Sequence, residues 1–156
     1  MELTKNFSLE ELIEAGSARR LGLDEQFNPS AEIICNLNKL AKHVLQPLRD
    51  HFGQAIQVMS GYRSPKVNKA VGGSKTSDHM FGRAADIQLW TNGKNRNQEL
   101  FDAVLKLKLP FKQMIDEFGS DSEPAWIHIA YDQTNNKGEK LRARKVNGKT
   151  VYSRIP

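Results

Sequence analysis

Cysteine is almost absent from this chain, with Cys35 the only one among 156 residues. An internal disulfide is therefore excluded, and the fold must rest on a hydrophobic core, which one domain of this length can build. Cys35 lies among apolar residues at helical spacing and reads as a small buried hydrophobe without a catalytic role. Long apolar runs are missing too. No stretch approaches the roughly 20 residues that cross a bilayer, so stable membrane insertion is not expected. The opening Met1-Glu2-Leu3-Thr4-Lys5-Asn6-Phe7 lacks the basic-then-apolar pattern of a signal peptide, and the expectation is synthesis in the cytoplasm without standard export. Low-complexity tracts and internal repeats are absent, which limits disorder to the ends.

What is present is uneven charge. The net charge is +5, and residues 137–154 hold Lys137, Lys140, Arg142, Arg144, Lys145, Lys149 and Arg154 against the single acid Glu139. Such a segment suits nucleic acid, an acidic membrane surface or the anionic polymers of a bacterial wall, or is simply a solvated face. A nucleic-acid-binding protein is thus a rival reading, but no recognised nucleic-acid motif accompanies the basic residues.

Local signals outline an α+β domain. Ser8 and Glu11 form a capping box, with Phe7 and Leu12 as its staple, opening a helix over 9–15 that Gly16 is expected to stop. Residues 17–29 read as a loop with a short turn at 18–21. Ser30 caps a longer helix whose stripe is Ile33, Leu37, Leu40, Val44 and Leu48, disturbed near its end by Pro47. Ile56–Met59 reads as a strand that leads into Arg63. Ser64-Pro65 then opens a short helix closed by Gly72-Gly73. A second strand spans 84–89, with Asp86 and Gln88 on one face. A helix over 97–108 packs Leu100, Val104 and Leu107, and two strands follow at 112–118 and 125–131. Asn147-Gly148 signals a hairpin in the basic segment. These elements imply a small antiparallel sheet with flanking helices. Residues 1–136 form the main domain, and 137–156 are a basic hairpin or tail of that domain.

Of four histidines, His43 and His51 lie on or just after the long helix and read as structural. His79 stands in Ser77-Asp78-His79-Met80-Phe81-Gly82-Arg83-Ala84-Ala85-Asp86, and His128 in Trp126-Ile127-His128-Ile129-Ala130-Tyr131. Gly82 lets the chain turn so that His79 and Asp86 can approach one point. Two imidazoles and a carboxylate give zinc three ligands and leave a fourth position open, the arrangement of a catalytic site.

These motifs resemble a known family, the zinc D-alanyl-D-alanine carboxypeptidases and related peptidoglycan endopeptidases, whose fold is shared with the hedgehog signalling domain. The likeness runs through Phe7-Ser8-Leu9-Glu10-Glu11-Leu12, Asn36-Leu37-Asn38-Lys39-Leu40 and Val44-Leu45-Gln46-Pro47-Leu48-Arg49. It continues through Ser60-Gly61-Tyr62-Arg63-Ser64, Val71-Gly72-Gly73-Ser74, Ser77-Asp78-His79, Gly82-Arg83-Ala84-Ala85-Asp86 and Trp126-Ile127-His128. The resemblance implies that His79, Asp86 and His128 are zinc ligands and that Arg63 lines the substrate cleft, where its planar fork suits a carboxylate or carbonyl. It also places Ser77 near substrate, and Trp126 walls the cleft or joins the core.

The general base is less direct. Wider relatives carry an acid or histidine a few residues before the last ligand, whereas Ala125 stands there in this chain. The branch it resembles has an acid at the end of the preceding strand, which favours Glu117, with Glu123 the second candidate and Asp116 facing the other way. The implied activity is hydrolysis of peptidoglycan stem peptides or cross-links by a monomeric phage-type endolysin or a bacterial wall enzyme. A non-catalytic wall-binding module of the same fold is the alternative.

Overall fold

The computed structural model describes residues 1–156. Ser8 accepts from the Glu11 backbone N–H at 3.2 Å and starts α1 (Leu9–Ile13), while Phe7 and Leu12 are buried as a staple requires. Gly16 does not stop a helix as expected; it begins α2 (Gly16–Leu21), because Glu14 and Ala15 have already turned extended. Gly22, at φ 64°, provides the left-handed cap instead, and a 3-10 turn at Asp24–Phe27 follows. No helix is long and apolar enough to cross a membrane.

Ser30 caps α3 (Ala31–Leu40), which runs through a π turn at Ala41–Leu45 into α4 (Gln46–Phe52). Pro47 cannot donate to the turn before it, and the helix widens there rather than breaking. Leu37, Leu40, Val44 and Leu48 are fully buried. Cys35 is exposed, contrary to expectation. At 100° per residue it lies about 200° from Leu37 and so faces away from the stripe. His43 stacks on Tyr131 and His51 meets Phe52 edge-on.

β1 (Gln57–Ser60), α5 (Pro65–Ala70), β2 (Ala84–Gln88), the small hairpin β3 (Trp90–Thr91) and β4 (Lys94–Asn95), and α6 (Asn97–Lys106) come next. Leu100 and Val104 are buried as expected, but Leu107 is not: the helix ends at Lys106, and Phe101 and Ala103 complete its core face. β5 (Gln113–Glu117), β6 (Trp126–Ala130), β7 (Glu139–Val146) and β8 (Lys149–Arg154) finish the chain.

The main sheet has the order β1-β2-β6-β5-β7-β8. All neighbours are antiparallel except β5 and β7, which run parallel. Side-chain alternation divides its faces. Ala85, Ile87, Met114, Ile127 and Ile129 join the core with the long helix and α6. Asp86, Ile115, Glu117, Trp126 and His128 share the opposite face.

Candidate metal centre

His79 sits in a 3-10 turn, Asp78–Phe81, capped by the Ser77 hydroxyl, which accepts from the His79 N–H at 3.3 Å. Gly82, at φ 65°, then swings the chain into β2. A Cβ at Gly82 would also press on the Ile33 carbonyl oxygen, so glycine serves both the turn and the packing. In the ladder Asp86 is directly opposite His128. Turn and ladder together bring three residues, distant in sequence, to one point.

The donor geometry is closed. His79 Nε2 lies 3.2 Å from both Asp86 Oδ1 and His128 Nδ1, and these last two are 3.0 Å apart. A tetrahedral ion with bonds of about 2.0–2.1 Å needs ligand atoms about 3.3 Å apart. The triangle therefore has the right size before any ion enters. His79 Nδ1 lies 2.6 Å from the Gly61 carbonyl, which only accepts, so Nδ1 carries the proton and the Nε2 lone pair points into the triangle.

Charge favours the same role. His79 is 2% exposed, and burial lowers its pKa, with the Asp86 carboxylate pulling the other way; the ring is held neutral. Burial opposes charge on Asp86 as well, but the His79 and His128 imidazoles beside its Oδ1 hold its carboxyl well below the usual carboxylate range. Two imidazole nitrogens and an ionised oxygen are a donor set that fits zinc.

Arg63 supports this triangle. Its Nη2 donates to Asp86 Oδ2 at 2.8 Å and its Nε to Ser60 Oγ at 2.9 Å, leaving Asp86 Oδ1 to the histidines. An irregularity in β1 between Val58 and Ser60 sets Ser60 opposite Asp86 and allows the contact.

The triangle floors a cleft of ≈ 770 Å³ whose lining includes Arg63, Ser77, Glu117 and Trp126. Trp126 also packs on Phe118, with ring centroids 5.5 Å apart. Glu117 pairs with Trp126 in the ladder, so it projects from the His128 face two residues beyond Ile115, the partner of His128. Glu117 is 8% exposed and its Oε2 has no hydrogen-bond partner. Burial, with help from the Asp86 and Asp116 charges, pushes its pKa up to about 7 against the pull of His128 and Arg63. Glu123 lies elsewhere: its Oε2 accepts from the Gln98 backbone N–H at 3.0 Å, at the start of α6.

Several cleft residues carry no site role in the sequence reading. Lys112, ion-paired to Asp78 at 2.8 Å, lines one side, and Leu141, Lys145, Thr150 and Tyr152 of the terminal hairpin line another. Alternation along β7 and β8 was available as a signal, but it acquires meaning only once β7 is known to lie beside β5.

Comparison with curated proteins finds no match to this chain. A family model described as Peptidase M15 matches residues 5–130, most of the chain and all three members of the triangle. The chain belongs to the peptidase M15 family, whose members are zinc-dependent metallopeptidases.

Proposed function

We propose that this protein is a zinc-dependent peptidase acting on the stem peptides or cross-links of bacterial peptidoglycan. The observation that carries the reading is the pairing of the preformed ligand triangle with a buried, unpartnered carboxylate, Glu117, on the same sheet face. In this reading His79, Asp86 and His128 hold the zinc. When bound, zinc supplies Lewis acidity, which acidifies water toward neutral pH and polarises a carbonyl.

The chain's own groups do the rest. Glu117 takes the proton of the attacking water and delivers it to the departing amine, a task suited to a carboxyl titrating near pH 7. Arg63 keeps Asp86 ionised and oriented, and its guanidinium borders the cleft, where it can also hold a substrate carboxylate or carbonyl. Ser77 and Trp126 border the bound peptide. An acid in this position favours an enzyme over a binding module of the same fold.

The substrate class follows from the resemblance to wall peptidases and from an open cleft that admits an extended peptide. The site of action is then the bacterial wall, in a phage-type lysin or a bacterial wall enzyme, with the protein working as a monomer. Digestion of purified wall, with chelator and with zinc restored, tests this reading. Chelator-sensitive release of fragments is expected, and their masses separate carboxypeptidase from endopeptidase action. Intact wall in the presence of one zinc per chain would contradict it.

A further inference from the structure

The terminal hairpin lies outside residues 5–130, the part matched by the family, yet it builds one wall of the cleft. Its attachment is not that of a tail. β7 pairs with β5 from Gln113 to Glu117, and β8 extends the sheet. Asn147 and Gly148 take φ values of 50° and 76°, the backbone of a tight type I′ turn. On the face away from the cleft, Asp116 is 3% exposed and accepts from Arg142 Nε at 3.0 Å and from Arg144 Nη1 and Nη2 at 2.9 and 3.1 Å. This clip takes up two of the hairpin's cations. Lys137 pairs with Glu139, and Lys140 donates to the Pro156 carbonyl at 2.6 Å. Four of the segment's seven cations thus have partners within the chain.

Lys145 is different. Three Lys or Arg side chains line the cleft, and two of them have carboxylate partners: Arg63 with Asp86 and Lys112 with Asp78, both at 2.8 Å. Lys145 has none. Its Nζ donates to Thr150 Oγ1 at 3.1 Å and sits 5.5 Å over the Phe118 ring, so the ammonium is positioned without being neutralised. Tyr152, 56% exposed, stands beside it on the cleft face, level with Glu117 through Ala143.

We infer that Lys145, flanked by Thr150 and Tyr152, is a substrate subsite that receives a carboxylate of the bound peptide. The subsite rests on the peptidase reading and adds a specificity element to it. Two strands and four residues of register separate Lys145 from His128, roughly 16 Å between Cα atoms. An extended chain covers this in about five residues, and the reach of the lysine arm reduces it to about three or four. The carboxylate it reads therefore lies at about that remove from the bond being cut.

The test uses zinc-loaded protein and two substrates: stem peptides with free carboxylates, and the same peptides with every carboxylate but the C-terminal one converted to carboxamide. Wild type should prefer the free form by about ten-fold in kcat/KM, the scale of one charge-assisted hydrogen bond. K145Q should erase that preference mainly through KM, K145E should reverse it, and K149Q, at the turn outside the cleft, should retain it. A preference that survives K145Q and K145E overturns the subsite, as does no preference in wild type. Binding of the uncut peptides to E117Q and to E117Q/K145Q, by titration calorimetry, repeats the comparison without turnover. Failure to cleave either peptide would then count against the peptidase alone, while carboxylate-dependent binding lost with Lys145 would still support the subsite.

Discussion

The two ends of the cleft are held by different means. At the β2–β6 end His79 is buried, with Asp86 and His128 nearly so, the His79 ring is tied to a backbone carbonyl, and Asp86 is gripped on both oxygens. At the β7–β8 end the side chains stand in solvent, and a cross-strand ladder with one carboxylate clip, Asp116, keeps the hairpin in place. Metal ligation needs atoms fixed to a few tenths of an ångström, and burial with hydrogen bonds supplies that. Recognition of a charged group tolerates a mobile lysine arm. Substitutions at the two ends should therefore fail in different ways.

The largest effect is expected at the buried end. His79→Ala should weaken zinc binding by more than about a hundred-fold and abolish turnover with it, measured as retained metal and wall digestion on the same sample. A variant that keeps its zinc would remove His79 from the ligand set. Next, Glu117→Gln should keep zinc while kcat falls by about 10²–10⁴-fold, the usual contribution of a general base. Full activity in E117Q would give that role to another group.

Glu117 also makes a prediction about stability in the metal-free protein. Its folded pKa of about 7 lies above the ordinary value of 4.5, so the folded state binds the proton more tightly. Stability is full below about pH 4.5 and declines as pH rises through 7, by up to roughly 3 kcal/mol. Denaturant titrations at pH 4 and pH 8 should show E117Q gaining on wild type only at the higher pH. An equal difference at both pH values would mean that ionisation of Glu117 is not the cause.

At the hairpin end, Asp116→Ala should cost about 1–3 kcal/mol, because the two arginines it releases can regain water. Amide exchange should quicken in β7 and β8 while zinc content is unchanged. Loss of zinc in D116A would show that the two ends are not independent. The smallest effect belongs to Cys35→Ser, which should stay within about 0.5 kcal/mol of wild type since the thiol is exposed.

Local signals in the sequence carried much of the fold. The Ser8, Ser30 and Ser64 caps, the Leu37–Leu48 stripe and the Asn147-Gly148 hairpin all express interactions within a few residues of each other. Where such reading failed, a neighbouring residue had taken over: Glu14 and Ala15 ended α1 before Gly16 was reached, and helical phase turned Cys35 outward. A second tight hairpin at Asn92-Gly93 passed unread because its strands have only two residues each.

The ligand triangle was legible only through resemblance, since spacing alone does not place His128 opposite Asp86. The parallel docking of β7 on β5 was not legible at all. It depends on pairing across more than twenty residues, and the buried Asp116 that secures it looks in sequence like any strand acid.

The most direct measurement is zinc-edge X-ray absorption on the zinc-loaded protein. One zinc per chain is expected, bound to two imidazole nitrogens and oxygen at about 2.0–2.2 Å, with the imidazole contribution at least halved in H79A, which retains only His128. A shell without imidazole, or a spectrum that H79A leaves unchanged, would contradict the assignment of His79, Asp86 and His128 as the metal centre.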